Sequence, residues 1–195
     1  MPLIVDKAER RATVARVAFD LVADNGIGAV TFRQVADAAG ASTAIVSNYF
    51  RDKNDLLFEV YRLANHRAME RLEASFAKGA ELVDCLAQVL PVSREMQRGW
   101  RVWLAFWGLS HSDPEFQRET AENASASVEL YRRMLARRYG GEPEAAHIEA
   151  KARRLVATVG GLGLQACLAP ADWPLDRLRA IIADEIRAFD DLADW

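Results

Sequence analysis

The chain has 195 residues, 51% of them hydrophobic and 27% charged, with a formal net charge of −3 and only two cysteines. Such a composition excludes a disordered tail, a disulfide scaffold and an indiscriminately nucleic-acid-coating protein, and it leaves room for a real core. The charge is unevenly placed: up to Lys53 there are seven basic and six acidic residues, which leaves −4 for the remainder. A local DNA-facing surface is compatible with that balance, although the asymmetry is weak.

Strand-type alternation is absent, whereas Ala, Leu, Arg and Glu recur at three- and four-residue spacing, so the chain reads as all-α. The N-terminal apolar run is too short for a secretory signal, and the long uncharged stretch Leu155–Ala171 falls short of a membrane span. That stretch, with its glycines, reads as a helix that another helix approaches closely. Cys85 and Cys167 sit in apolar helical contexts and read as free thiols of a reducing cytosol, where the protein is expected to work.

In chain order, residues 6–24 read as a first helix, with Val14, Val17, Ala18, Leu21 and Val22 on one stripe and Gly26 just past its end. Thr31 and Gln34 then have the spacing of a capping box, and Phe32, Val35, Ala36 and Ala39 share a helical face. Gly40 permits a sharp reversal, and Ser42 can cap a second short helix. In that helix Ile45, Val46 and Tyr49 are expected inward, with Thr43, Ala44, Ser47 and Asn48 outward. A short helix with a small, hydrogen-bonding free face can enter a major groove, but two amphipathic helices of an ordinary bundle fit this stretch alone equally well. A long helix follows to about Ala77, opened by Asp52 as cap, with Leu57, Val60, Tyr61, Ala64 and Ala68 inward.

These residues carry a resemblance. Thr31-x-Arg33-x-Val35-Ala36-x-x-Ala39-Gly40-Ala41-Ser42, followed by Tyr49-Phe50-x-x-Lys53-x-x-Leu56-Leu57, resembles the N-terminal domain of TetR-type transcriptional repressors over roughly residues 8–68. Ala44 stands where that family usually has glycine, and Ala41 where valine is commoner. The resemblance implies a helix-turn-helix domain over 1–56, a ligand-binding and dimerisation domain over 57–195, and a homodimer on a near-palindromic double-stranded operator. The physical reading of the residues agrees. Tyr49 has a hydroxyl that can reach a phosphate, and Lys53 opens a helix whose free N–H groups favour an anion. Thr31 completes the expected phosphate-contacting set, Arg33 and Ser42 are further DNA-binding candidates, and Thr43, Ala44 and Asn48 are candidates for base edges. Cap alone for Thr31 and plain core for Tyr49 fit as well, and plain core is the better reading for Phe50; Ile45 and Phe50 are expected to hold the head together.

Residues 81–90 read as a short helix ended by Pro91, and Ser93 opens the next. It carries Trp100, Trp103 and Trp107 on one face with Phe106 beside them, three of the chain's five tryptophans in eight residues. For any single one, aromatic core is the better reading, yet a cluster this dense can also wall a cavity that holds a cation. Trp103-Leu104-Ala105-Phe106-Trp107, with Ser110 to Pro114, Gly161-Leu162-x-Leu164 and Pro174-Leu175-Asp176, resembles the BetI-type subgroup, choline-responsive repressors of glycine-betaine synthesis. The resemblance implies choline or a similar quaternary amine, a cage from Trp103, Phe106 and Trp107, and an acid such as Glu115 or Glu122; Trp100 lies outside the resemblance and is a ligand candidate only as part of the tryptophan cluster. A hydrophobic drug, a lipid or an acyl thioester is the alternative effector.

Asp113-Pro114-Glu115 is a helix start, and that helix runs to Tyr139 before Gly140-Gly141. Two last helices follow, 144–168 and 175–192. The family resemblance implies that they pair with their copies across a two-fold axis, with Leu155, Val159, Gly163, Leu178, Ile182 and Ile186 as the expected interface. No catalytic residues, metal or cofactor are expected: His66, His111 and His147 are isolated, and no glycine-rich loop follows a strand. An all-helical enzyme or interaction bundle is the remaining alternative from another class.

Overall fold

The computed structural model describes residues 7–191, and among them there is no strand. The helices are α1 (Lys7–Asn25), α2 (Phe32–Ala38), α3 (Thr43–Tyr49), α4 (Lys53–Ala77), α5 (Leu82–Ala87), α6 (Arg94–Ser110), α7 (Pro114–Tyr139), α8 (Ala146–Leu168) and α9 (Leu175–Asp191), with one 3-10 turn at Ile27–Ala29. The expected helix start at Asp6 and helix end at Leu192 lie outside the described residues.

Capping chemistry sets the boundaries. The Thr31 hydroxyl accepts from the Gln34 N–H at 3.2 Å and Ser42 accepts from the Ile45 N–H at 3.4 Å. Asp52 Oδ1 accepts from the Asp55 N–H at 2.8 Å, Ser93 from the Met96 N–H at 3.2 Å, and Asp113 Oδ1 from the Glu115 N–H at 2.9 Å. Each satisfies a donor that the first helical turn leaves open. Gly26 and Gly40 have φ of +78° and +61°, a region unfavourable for a side chain, so the stop after α1 and the turn between α2 and α3 both need glycine.

The chain packs as two compact units. The first takes the chain through Arg67 together with Arg101–Gln117, and the second takes Ala68–Trp100 together with the chain from Arg118. Helices α4, α6 and α7 each give residues to both units. In the first unit α1, α2 and α3 pack on one another around Val14, Ala18, Phe19, Val22, Val35, Ala36, Val46 and Phe50, all buried. In the second unit α9 packs on α5 and α8, burying Leu178, Ile182, Ile186 and Phe189 on one side of α9.

Two expectations are corrected here. Ile45 is 36% exposed and does not hold the head together; Val46 and Phe50 fill that core instead. A seven-residue helix has one buried stripe, and the α3 stripe is set by Val46. Second, Leu155, Val159, Gly163, Leu178, Ile182 and Ile186 are all buried within the single chain, so they form its own core and present no free surface to a second copy.

Candidate nucleic-acid interface and effector site

Thr43, Ala44, Ser47 and Asn48 are exposed along α3, as expected. The Ser47 hydroxyl is turned back onto the Thr43 carbonyl at 2.9 Å, so Thr43, Ala44 and Asn48 are the side chains left for base edges. Around them Thr31, Arg33, Ser42 and Lys53 are exposed and Tyr49 is half-buried, with Lys53 the first residue of α4. Thr31 also donates its hydroxyl proton to Gln34 Oε1 at 2.8 Å, so the capping box closes through the two side chains. Exposed donors flank the open face of a two-turn helix: that arrangement fits phosphates on either side of a groove.

The end of α3 is held by a residue that sequence reading missed. Arg11 Nη1 donates to the Tyr49 carbonyl at 2.5 Å, and its Nη2 pairs with Asp55 Oδ1 at 3.1 Å and Glu59 Oε2 at 3.0 Å. Its guanidinium lies 4.2 Å from the centre of the Phe50 ring. Asp55 Oδ2 accepts from the Arg51 N–H at 3.0 Å. Burial raises the Asp55 pKa, but the Arg51 N–H and the Arg11 guanidinium outweigh it and hold the carboxyl below its ordinary 3.8. The available signal was the acid pair Asp55 and Glu59, one turn apart on α4, which calls for a cation.

The aromatic residues divide between the two units. In the first, Phe106 is fully buried: Tyr61 stacks on it at 4.6 Å and Phe116 packs at 5.2 Å, with Phe58 against Phe116 at 4.7 Å. Phe106 is therefore a core ring whose neighbours are aromatic side chains, and it does not offer a free face to a cation. Trp103 is 9% exposed and its indole N–H donates to Asn65 Oδ1 at 2.6 Å. Asn65 was not foreseen either; it is a lone polar residue within the apolar stripe of α4. Trp107, 37% exposed, is the open ring of this set, and Glu115 is exposed in the first turn of α7.

In the second unit, Trp100 is buried, with its indole N–H on the Val89 carbonyl at 2.6 Å. A Cβ on Gly163 would stand 1.9 Å from Trp100 Cζ2, so the missing side chain of Gly163 is what admits this ring to α8. The close approach read from the glycine-rich stretch is thus made by a tryptophan. Glu122 is exposed in the middle of α7. The outward side of α8 carries Ala157, Gly160, Gly161, Leu164 and Leu168, spaced along one face without a charge, and Leu168 is 70% exposed.

Among the described residues no group of three or more His, Cys, Asp or Glu could hold a metal ion, and no helix is long and apolar enough to cross a membrane. Cys85 is buried and Cys167 half-buried, and the two are not joined in a disulfide.

Comparison with known proteins agrees with this geometry over nearly the whole chain. Residues 15–60 match the family described as bacterial regulatory proteins, tetR family, and residues 78–191 match the BetI-type transcriptional repressor C-terminal family. The HTH-type transcriptional regulator BetI of Escherichia coli K12 is 30% identical, covering 92% of each chain. A transcriptional regulator of Rhodococcus sp. Rha1 superposes with a TM-score of 0.79 at 26% identity, covering 95% of this chain and 98% of that one. A regulator from Saccharomonospora viridis, solved in complex with choline, superposes with a TM-score of 0.76 at 24% identity, over 92% and 96% of the two chains. With a capped helix-turn-helix in its first unit and the second family match spanning most of the remaining chain, this protein belongs to the BetI-type branch of the TetR family and is a DNA-binding transcriptional regulator, not an enzyme.

Proposed function

We propose that the protein is a homodimeric cytosolic repressor that releases or tightens its hold on a near-palindromic operator when it binds choline or a related quaternary amine, and that it controls glycine-betaine synthesis genes. The observation that carries the effector is Trp103: a nearly buried indole, hydrogen-bonded to Asn65, with Trp107 open one turn further along α6. Trp103 and Trp107 supply ring faces to the cation, and Glu115 offers a carboxylate. The Trp103–Asn65 bond joins α6 to α4, so an effector that displaces Trp103 acts on the helix that begins beside α3. It acts only to the extent that it binds two arrangements of that helix with different affinity. BetI-type relatives and the choline complex of the S. viridis regulator support this reading.

On DNA, Thr43, Ala44 and Asn48 read bases, with Asn48 suited to adenine and the Thr43 methyl to thymine; Arg33, Ser42, Tyr49 and Lys53 hold phosphates, joined by Thr31 when its hydroxyl turns from Gln34 to a phosphate. A second copy of the chain covers the outward face of α8 around Gly160, Gly161, Leu164 and Leu168, where small residues permit close helix approach.

Tryptophan fluorescence on titration with choline tests the effector: a saturable change that Trp103→Ala abolishes is expected, and no change in the wild type overturns it. A hydrophobic effector is the second reading, favoured because Asn65, the buried amide beside this cluster, carries no charge. A response to a lipophilic amine or a fatty acyl compound with none to choline selects it.

A further inference from the structure

We propose that Arg11 is a positioning residue for DNA reading: its guanidinium ties the end of α3 to the first two turns of α4, and so sets the angle at which α3 meets a groove. The proposal rests on the assignment of α3 as the reading helix. Four observations carry it. Nη1 donates to the carbonyl of Tyr49, the last residue of α3. Nη2 reaches both Asp55 and Glu59, one turn apart on α4. The guanidinium carbon lies over the ring of Phe50, the residue that caps α3. Asp55 in turn accepts from the backbone of Arg51, inside the three-residue link between the two helices. One side chain of α1 therefore fixes the reading helix, its exit link and the following helix together.

The pairs are a quarter to a third exposed, at 31%, 26% and 32% for Arg11, Asp55 and Glu59. Ion pairs of that exposure add little to global stability. What the arrangement does specify is direction, because a guanidinium presents its donors in a fixed planar fork that an ammonium cannot reproduce. Lysine at this position keeps the charge and loses the fork. It separates orientation from electrostatic attraction.

The test compares wild type, Arg11→Lys and Glu59→Gln on two DNA fragments of equal length and at one salt concentration: the region upstream of the protein's own gene, and its scrambled sequence. Thermal unfolding of each protein is recorded alongside. Arg11→Lys is expected to bind the upstream fragment about ten-fold more weakly, the size of one lost base contact, with scrambled-fragment affinity and unfolding temperature little changed. Glu59→Gln should shift the same ratio in the same direction by about three-fold, which keeps the proposal testable if the lysine variant folds poorly. In the Arg11→Lys background, Glu59→Gln should add little further loss, since the shared contact is already gone. An Arg11→Lys protein that keeps the wild-type ratio overturns the proposal. So does an equal loss on both fragments that tracks a lowered unfolding temperature, which marks a merely structural role. A wild type that separates the two fragments not at all overturns instead the assignment of α3, and this proposal with it.

Discussion

Gly163 and Trp100 show how one side chain's absence fixes another's position. Adding a methyl group at Gly163 drives it into the Trp100 ring, and neither the ring, held by Val89 through its indole N–H, nor the α8 backbone can retreat without loss. Gly163→Ala is expected to destabilise the fold by about 1–3 kcal/mol, read as a lowered denaturant midpoint with unchanged slope. Asn65 gives the converse case. Asn65→Leu keeps the branched shape in a bulkier side chain but removes the acceptor of the Trp103 indole N–H, at a cost of about 1–3 kcal/mol, and should shift the Trp103 emission. Neither partnership was legible in the sequence. The glycines of α8 announced a close approach without naming the ring that makes it, and a single asparagine in an apolar stripe gives no sign of what it faces. Phe106 was legible as aromatic and inward, but whether a ring packs on rings or on a ligand depends on residues such as Tyr61 and Phe116, one of them in another helix and the other distant in the chain.

At the scale of elements, sequence alone located most helix ends, because the caps are local. Thr31, Ser42, Asp52, Ser93 and Asp113 each accept a bond from a backbone donor two or three residues on. Asp113→Ala should cost about 1 kcal/mol in unfolding free energy, since its carboxylate serves the first N–H groups of α7. The start of α4 also makes stability depend on acidity. Asp55 has a folded pKa depressed below 3.8, so its contribution is fully present above that value and is lost as pH falls through the lower, folded value. Acid titration of unfolding should show this loss below about pH 4, and Asp55→Asn should remove that part of the slope. Orientation was harder to read than extent. Two turns of α3 leave several residues eligible for the inward side: Ile45, Val46 and Tyr49 were all expected there, and only Val46 is fully buried, Tyr49 being half-buried and Ile45 exposed.

For the whole molecule, the apolar stripes of α8 and α9 were legible as buried faces, but periodicity does not say what buries them. Leu155, Val159, Leu178, Ile182 and Ile186 are covered within one chain, which shifts the proposed self-association to the opposite, small-residue face of α8. Leu164→Arg is therefore expected to yield a folded monomer in sedimentation analysis and to weaken operator binding, because one head alone meets one half-site. A dimer of unchanged stability would place the interface elsewhere.

Whether α3 and its flanks meet DNA is tested most directly at Lys53. Affinity for the upstream fragment, measured across a series of salt concentrations for wild type and Lys53→Ala, gives both the strength and the number of phosphate contacts. The expected result is weaker binding on specific and scrambled DNA alike, with the slope of log affinity against log salt shallower by about 1 per protomer. Unchanged affinity together with an unchanged slope would contradict the assignment.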